Sequence, residues 1–210
     1  MRREEIIAYL TEKYTPDVII AYGSFADGTN GANSDFDALV ITGAQCAGQH
    51  DTSQICETLL DVFIYAPEEF AGIDASRYVQ LYGGRLVLDK TGLGAKLMTA
   101  VNEYVAARLL ELRSPKAQKE NITAVEWCEK MLLRTARNDA EGFYRWHWLL
   151  TDSLEIYSGI SGIFYFGPKK TLIHMMQNDI KAYKIYLAAL RTMDGGALME
   201  WITLLRQRLG

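Results

Sequence analysis

Two short apolar runs with a polar loop between them constrain the first quarter of this chain more than any other feature. Val18-Ile19-Ile20-Ala21-Tyr22 stops at Gly23-Ser24, and Ala38-Leu39-Val40-Ile41 starts only after Asp35-Phe36-Asp37. Each run is shorter than an ordinary helix, rich in β-branched residues and bounded by turn-forming types, so each reads as a buried strand. The loop between them contains Gly28, Asn30, Gly31 and Asn33, residue types that tolerate unusual backbone angles. Ten residues separate Ser24 from Asp35, which lets the chain leave one strand and return beside it. Strand side chains repeat every second residue, so Asp35 and Asp37 are expected on one face where the second strand opens.

Around this pair the chain supplies more strands, then turns helical. Ile6, Ile7, Tyr9, Leu10 and Tyr14 recur at helical spacing over residues 2–14, until Thr15-Pro16-Asp17 breaks the pattern. Gly43 to Ser53 is polar and reads as loop, and Leu59–Tyr65 reads as a third strand interrupted by one charge, Asp61. Pro67-Glu68-Glu69-Phe70 has the form of a first helical turn with proline near its start. A short helix over 76–82 and a strand over Arg85–Leu88 complete the region. Beyond Asp89, Leu93, Leu97, Val101, Val105, Leu109 and Leu112 step by three or four and predict an amphipathic helix over 92–112. Further helices are expected over 117–137, 140–158, 168–177, 179–192 and 196–209, divided by Ser114-Pro115, Gly159, Gly162, Gly167-Pro168 and Gly195-Gly196. The expected class is α+β: a small mixed β-sheet with flanking helices over residues 1–90, then an all-α helical bundle over 91–210.

Charge is divided between the same two parts. Residues 1–90 carry 6 Lys and Arg against 14 Asp and Glu, while the remaining 120 carry 16 against 12. An acidic first part argues against a broad nucleic-acid-binding face, which needs a basic stripe, and suits a carboxylate site for divalent cations. Three widely spaced cysteines (Cys46, Cys56, Cys128) form neither a disulfide framework nor a zinc pattern. No apolar run approaches a membrane span and the start lacks a signal-peptide pattern, so a cytoplasmic protein without a membrane partner is expected.

The acids carry a specific chemical implication. Two carboxylates on one strand face repel each other, and a divalent cation between them removes the conflict. Mg2+ accepts such oxygens while keeping waters and substrate phosphates. Asp61, the single acid inside LLDVFIY, would allow a second ion, and a strand this apolar cannot bury it without a partner or a metal. Gly23 lets the backbone approach a phosphate, and Ser24 adds a hydroxyl donor.

These residues together resemble the signature of the DNA polymerase β-type nucleotidyltransferase superfamily: a strand, Gly-Ser, about ten residues, Asp-x-Asp entering a strand, and a later strand acid. The resemblance covers residues 18–65, and the order of an α/β region before a helical domain is similar to the kanamycin-type and lincosamide nucleotidyltransferases. It implies a nucleotidyltransferase core and two Mg2+ ions on Asp35, Asp37 and Asp61. A nucleoside triphosphate such as ATP would have its phosphates on Gly23 and Ser24, and a small-molecule hydroxyl would be the acceptor. Asp61 would ligate the catalytic ion and accept the hydroxyl proton. Enzymes of this resemblance often build the site across a homodimer, and the sequence leaves the oligomeric state open. Two rivals are protein adenylylation, and a nucleotide-binding regulatory module without turnover.

Three further groups have both a functional and a structural reading. Asp139, Glu141 and Asp152 lie in or beside the aromatic-rich run Asn138–Trp148. They are acceptor-side candidates, against which stands a capped helix packed by its aromatics. Lys169 and Lys170 after Gly167-Pro168 are candidates for the triphosphate, against a turn with two solvated lysines. His50, His147 and His174 are not spaced as ligands and read as surface or packing residues. Gly92-Leu93-Gly94 lacks the third glycine of a phosphate-binding fingerprint.

Overall fold

Strand β1 (Val18–Tyr22) is buried along its whole length, with β2 (Phe36–Ile41) antiparallel on one side and β6 (Arg85–Asp89) antiparallel on the other. The computed structural model describes residues 2–43, 46, 48–137 and 139–209. Beyond β2, β5 (Thr58–Tyr65) pairs in parallel, and the sheet order is β3-β5-β2-β1-β6, with β3 (Gln49–Asp51) at the edge and β4 (Gln54–Ile55) paired to β5.

Two cores cover the two faces. Helix α1 (Arg2–Tyr14) puts Ile6, Leu10 and Tyr14, one every four residues, against Ile19, Ala21, Ala38, Val40 and Val62. It ends where Thr15 takes a φ of 43° and Pro16 forbids continuation. The opposite face, with Val18, Ile20, Leu39 and Ile41, packs on Phe70, Tyr78, Leu81 and on Leu97 and Val101 of α3 (Leu93–Glu111). Gly94 is required at the start of α3, since a Cβ there would fall 2.6 Å from Val18 Cγ1 and 2.7 Å from Leu86 Cδ1. The backbone N–H groups of Gly92 and Ala95 donate to the Asp89 carboxylate, so Gly92-Leu93-Gly94 begins a helix that its own chain caps.

The chain divides into two compact units, Met1–Ala106 and Ala107–Gly210. The second is built from α4 (Pro115–Thr135), α5 (Ala140–Ile160), α6 (Pro168–Asn178), α7 (Ile180–Arg191) and α8 (Gly195–Gln207). Their starts are set by side chains: Ser114, Asp139, Asp179 and Asp194 each accept an N–H from the first turn. Trp201 is wholly buried and donates from Nε1 to Ser153 Oγ at 2.8 Å. No helix among the described residues is long and apolar enough to cross a membrane.

The structure corrects three expectations. The stretch Gly43–Ser53 is not all loop, because it contains β3; Ala44, Gln45 and Ala47 of that stretch lie outside the described residues. Strand β3 is polar in sequence and is held by Asp51, whose buried carboxylate accepts from Tyr14 Oη at 2.7 Å, Lys13 Nζ at 3.0 Å and the Ser53 N–H at 2.9 Å. The hairpin β4–β5 turns on Cys56 and Glu57, with φ of 49° and 64°. That is the paired positive-φ geometry of a tight hairpin turn, made without the usual Asn-Gly. Residues 67–70 and 75–81 form 3-10 rather than α-helical turns, the latter kinked at Tyr78.

Candidate active site

Register places the first unit's candidates. Tyr22 of β1 lies opposite Asp37 of β2, and Asp37 lies opposite Asp61 of β5. Register partners project to the same side of a sheet, so a tyrosine and two carboxylates stand in a row across three adjacent strands. Burial pushes the Tyr22 phenol well above its ordinary pKa, and the Asp61 and Asp37 carboxylates add to the shift, so it stays protonated beside them.

The chain leaves β1 through Gly23 at φ 66° and ψ −153°, a conformation open essentially to glycine alone. It then makes a one-turn helix, α2 (Ser24–Asp27), which leaves Ser24 buried. Gly23 packs directly on the acid row, since a Cβ there would fall 2.2 Å from Asp37 Oδ2. The loop that follows is ordered by its own side chains: Asp27 accepts from the Thr29 N–H at 3.0 Å, and Ser34 Oγ from the Gly31 N–H at 2.9 Å. Asp35 is exposed and comes one residue before β2 begins.

Sequence reasoning missed one residue. His50, read above as a surface or packing residue, stands on β3 opposite Phe63 and stacks on that ring at 4.3 Å with 5° between planes. Its Nε2 lies 2.6 Å from Asp61 Oδ1. Asp61 therefore has the partner that its apolar strand demanded, and that partner is a histidine. The signal lay in a polar segment with no hydrophobic alternation, where strand periodicity could not reveal it.

The donor set suits a hard divalent cation: two carboxylates side by side on adjacent strands, with Asp35 two residues before one of them. Among the described residues no three His, Cys, Asp or Glu side chains gather closely enough to hold a metal by themselves. Coordination here would be shared with phosphates and water, as Mg2+ commonly is.

The remaining candidates belong to the second unit. Asp139 caps α5, accepting from the Gly142 N–H at 2.9 Å and from Arg137. The Gly142 N–H and then Arg137 hold its carboxyl below the usual carboxylate range. Glu141 accepts from Arg145 at 2.7 Å and pairs with Arg137 at 2.9 Å, with the same consequence. Both acids are committed to starting the helix; Asn138 lies outside the described residues. Asp152 is placed differently, lining an open surface depression with Trp127, Glu155 and Ile156. Lys169 and Lys170 are exposed in the first turn of α6, with Lys170 Nζ 5.1 Å from the Phe166 ring centre.

Comparison with known proteins bears on this same segment. Residues 3–82 match a family model described as a nucleotidyltransferase domain. The matched span holds Gly23, Ser24, Asp35, His50 and the Asp37–Asp61 pair, and the match supports a transferase. Among solved structures, a nucleotidyltransferase-like protein from Exiguobacterium sibiricum 255-15 is similar at 14% identity and a TM-score of 0.45, over 99% of this chain and 72% of its own. No curated protein matches the chain.

Proposed function

We propose that the protein is a metal-dependent nucleotidyltransferase that moves a nucleoside monophosphate, AMP from ATP, onto a hydroxyl of a small-molecule acceptor. The observation that carries this reading is the Asp37–Asp61 pair, set opposite each other on parallel strands, with Asp37 packed against Gly23. Gly23 and Ser24 receive the triphosphate. Asp35, Asp37 and Asp61 would hold Mg2+, which when bound neutralises phosphate charge and lowers the barrier at the α-phosphorus. Asp61 accepts the proton of the acceptor hydroxyl while its oxygen bonds to the α-phosphorus. The bond from that phosphorus to the bridging oxygen breaks, and pyrophosphate leaves with the electron pair. The gain comes from positioning and electrostatics, as in other phosphoryl transfers.

For the acceptor, the acidic balance of residues 1–90, which carry the acid row, supports an amine-bearing compound of the aminoglycoside or lincosamide kind. The test is incubation with labelled ATP and Mg2+, with an aminoglycoside panel and separately with cell lysate. Label on a small molecule supports the reading. Label on a protein band replaces it with protein adenylylation, and absence of both label and pyrophosphate release replaces it with a binding module.

A further inference from the structure

We propose that His50 is a positioning residue for Asp61, engaging one carboxylate oxygen from the β3 side of β5 so that the other is left toward β2 for a divalent cation before substrate arrives. The inference rests on the nucleotidyl-transfer reading and adds a residue that the sequence pattern does not contain. Asp37 and Asp61 are register partners, and two ionised carboxylates in that relation repel. Asp61 is also partly exposed, so without a restraint its carboxylate would rotate freely into solvent.

The imidazole supplies the restraint and is itself fixed in three ways. Strand pairing sets His50 opposite Phe63, the two rings stack face to face, and Nε2 reaches Asp61 Oδ1 at 2.6 Å. An ionised carboxylate only accepts hydrogen bonds, so Nε2 carries the hydrogen and donates it. With Oδ1 engaged, Oδ2 is the oxygen that meets the cation and the acceptor hydroxyl. Groups that orient ligating carboxylates in this way typically matter by a factor of 10–100 in metal affinity or activity.

The test uses the full chain and Mn2+ as the probe. Free Mn2+ is followed by electron paramagnetic resonance during titration of wild type, His50→Ala and His50→Gln, and kcat and KM for ATP are measured in parallel. His50→Ala is expected to bind Mn2+ about 10–100-fold more weakly and to lose kcat by a similar factor. His50→Gln, whose amide can donate from the same region, is expected to recover most of both. The proposal is overturned if His50→Ala matches wild type, if His50→Gln is as impaired as His50→Ala, or if the wild type binds no Mn2+. The first two results leave the histidine only its packing on Phe63. The full pattern of Mn2+ binding in a protein that transfers no nucleotide keeps the positioning role and removes the nucleotidyl-transfer reading instead.

Discussion

Gly23→Ala should separate two demands that the fold places on one residue. The first is conformational: at φ 66° and ψ −153°, alanine is strained by about 1–3 kcal/mol. The second is clearance, because the new Cβ would lie 2.2 Å from Asp37 Oδ2 and 2.9 Å from its Cγ. Ordinary contact between non-bonded heavy atoms is near 3.5 Å, so the carboxylate or the turn must retreat by about 1 Å. A displacement of that size at reacting groups costs on the order of 10²-fold in rate. Gly28→Ala is the control, since Gly28 also has positive φ, 78°, but a Cβ there meets nothing within 4 Å. It should lose roughly 1–2 kcal/mol of stability and keep its turnover. Urea unfolding gives the stabilities, and pyrophosphate release with ATP and Mg2+ gives the rates. If both variants transfer equally well, the close packing of Gly23 on Asp37 is irrelevant to catalysis and the site as described is wrong.

Asp35→Ala, Asp37→Ala and Asp61→Ala should each abolish pyrophosphate release while leaving the circular dichroism spectrum unchanged; retained transfer in any one removes that acid from the site. Asp51→Asn should destabilise the protein at neutral pH by about 1–3 kcal/mol, because buried donors lose a charged acceptor. Burial acts to raise the Asp51 pKa, but hydrogen bonds from Ser53, Tyr14 and Lys13 outweigh it and hold the carboxyl far below its usual range. A depressed folded pKa stabilises fully above the unfolded value near 4, and the contribution fades as pH falls through the folded value. The gap between wild type and Asp51→Asn should therefore stay open at neutral pH and close only under strong acid, as read by urea midpoints against pH. Ser153→Ala strands the buried Trp201 Nε1–H and should cost about 1–3 kcal/mol, with a change in tryptophan emission.

The central strands and the long helices were legible because their apolar residues are dense enough to show a period. Val18–Tyr22 and Phe36–Ile41 are runs buried almost throughout, Thr58–Tyr65 alternates buried and exposed residues, and α3 to α8 fall within a few residues of the spans that glycine, proline and capping residues marked. The juxtaposition of Asp37 and Asp61 was legible only in part. Each acid announces itself by interrupting an apolar strand, but the parallel β2–β5 pairing that aligns them is set by topology. Strand β3 was illegible because Gln49-His50-Asp51 has no apolar face, and side-chain contacts made by Asp51 across 37 and 38 residues of chain hold it in place. His50 was hidden for the same reason. The β4–β5 turn was hidden because Cys56-Glu57 adopts angles that its residue types seldom choose.

Gln49-His50-Asp51 is a narrow splint with a different fastening on each side. Asp51 is tied to Tyr14 and Lys13 of α1, and its immediate neighbour grips Asp61 on the far surface of the sheet. Damage to the amino-terminal helix should consequently be felt at the carboxylate row through a single peptide unit. A lesion such as Tyr14→Phe, which touches no reacting group, would then register as a defect in cation binding.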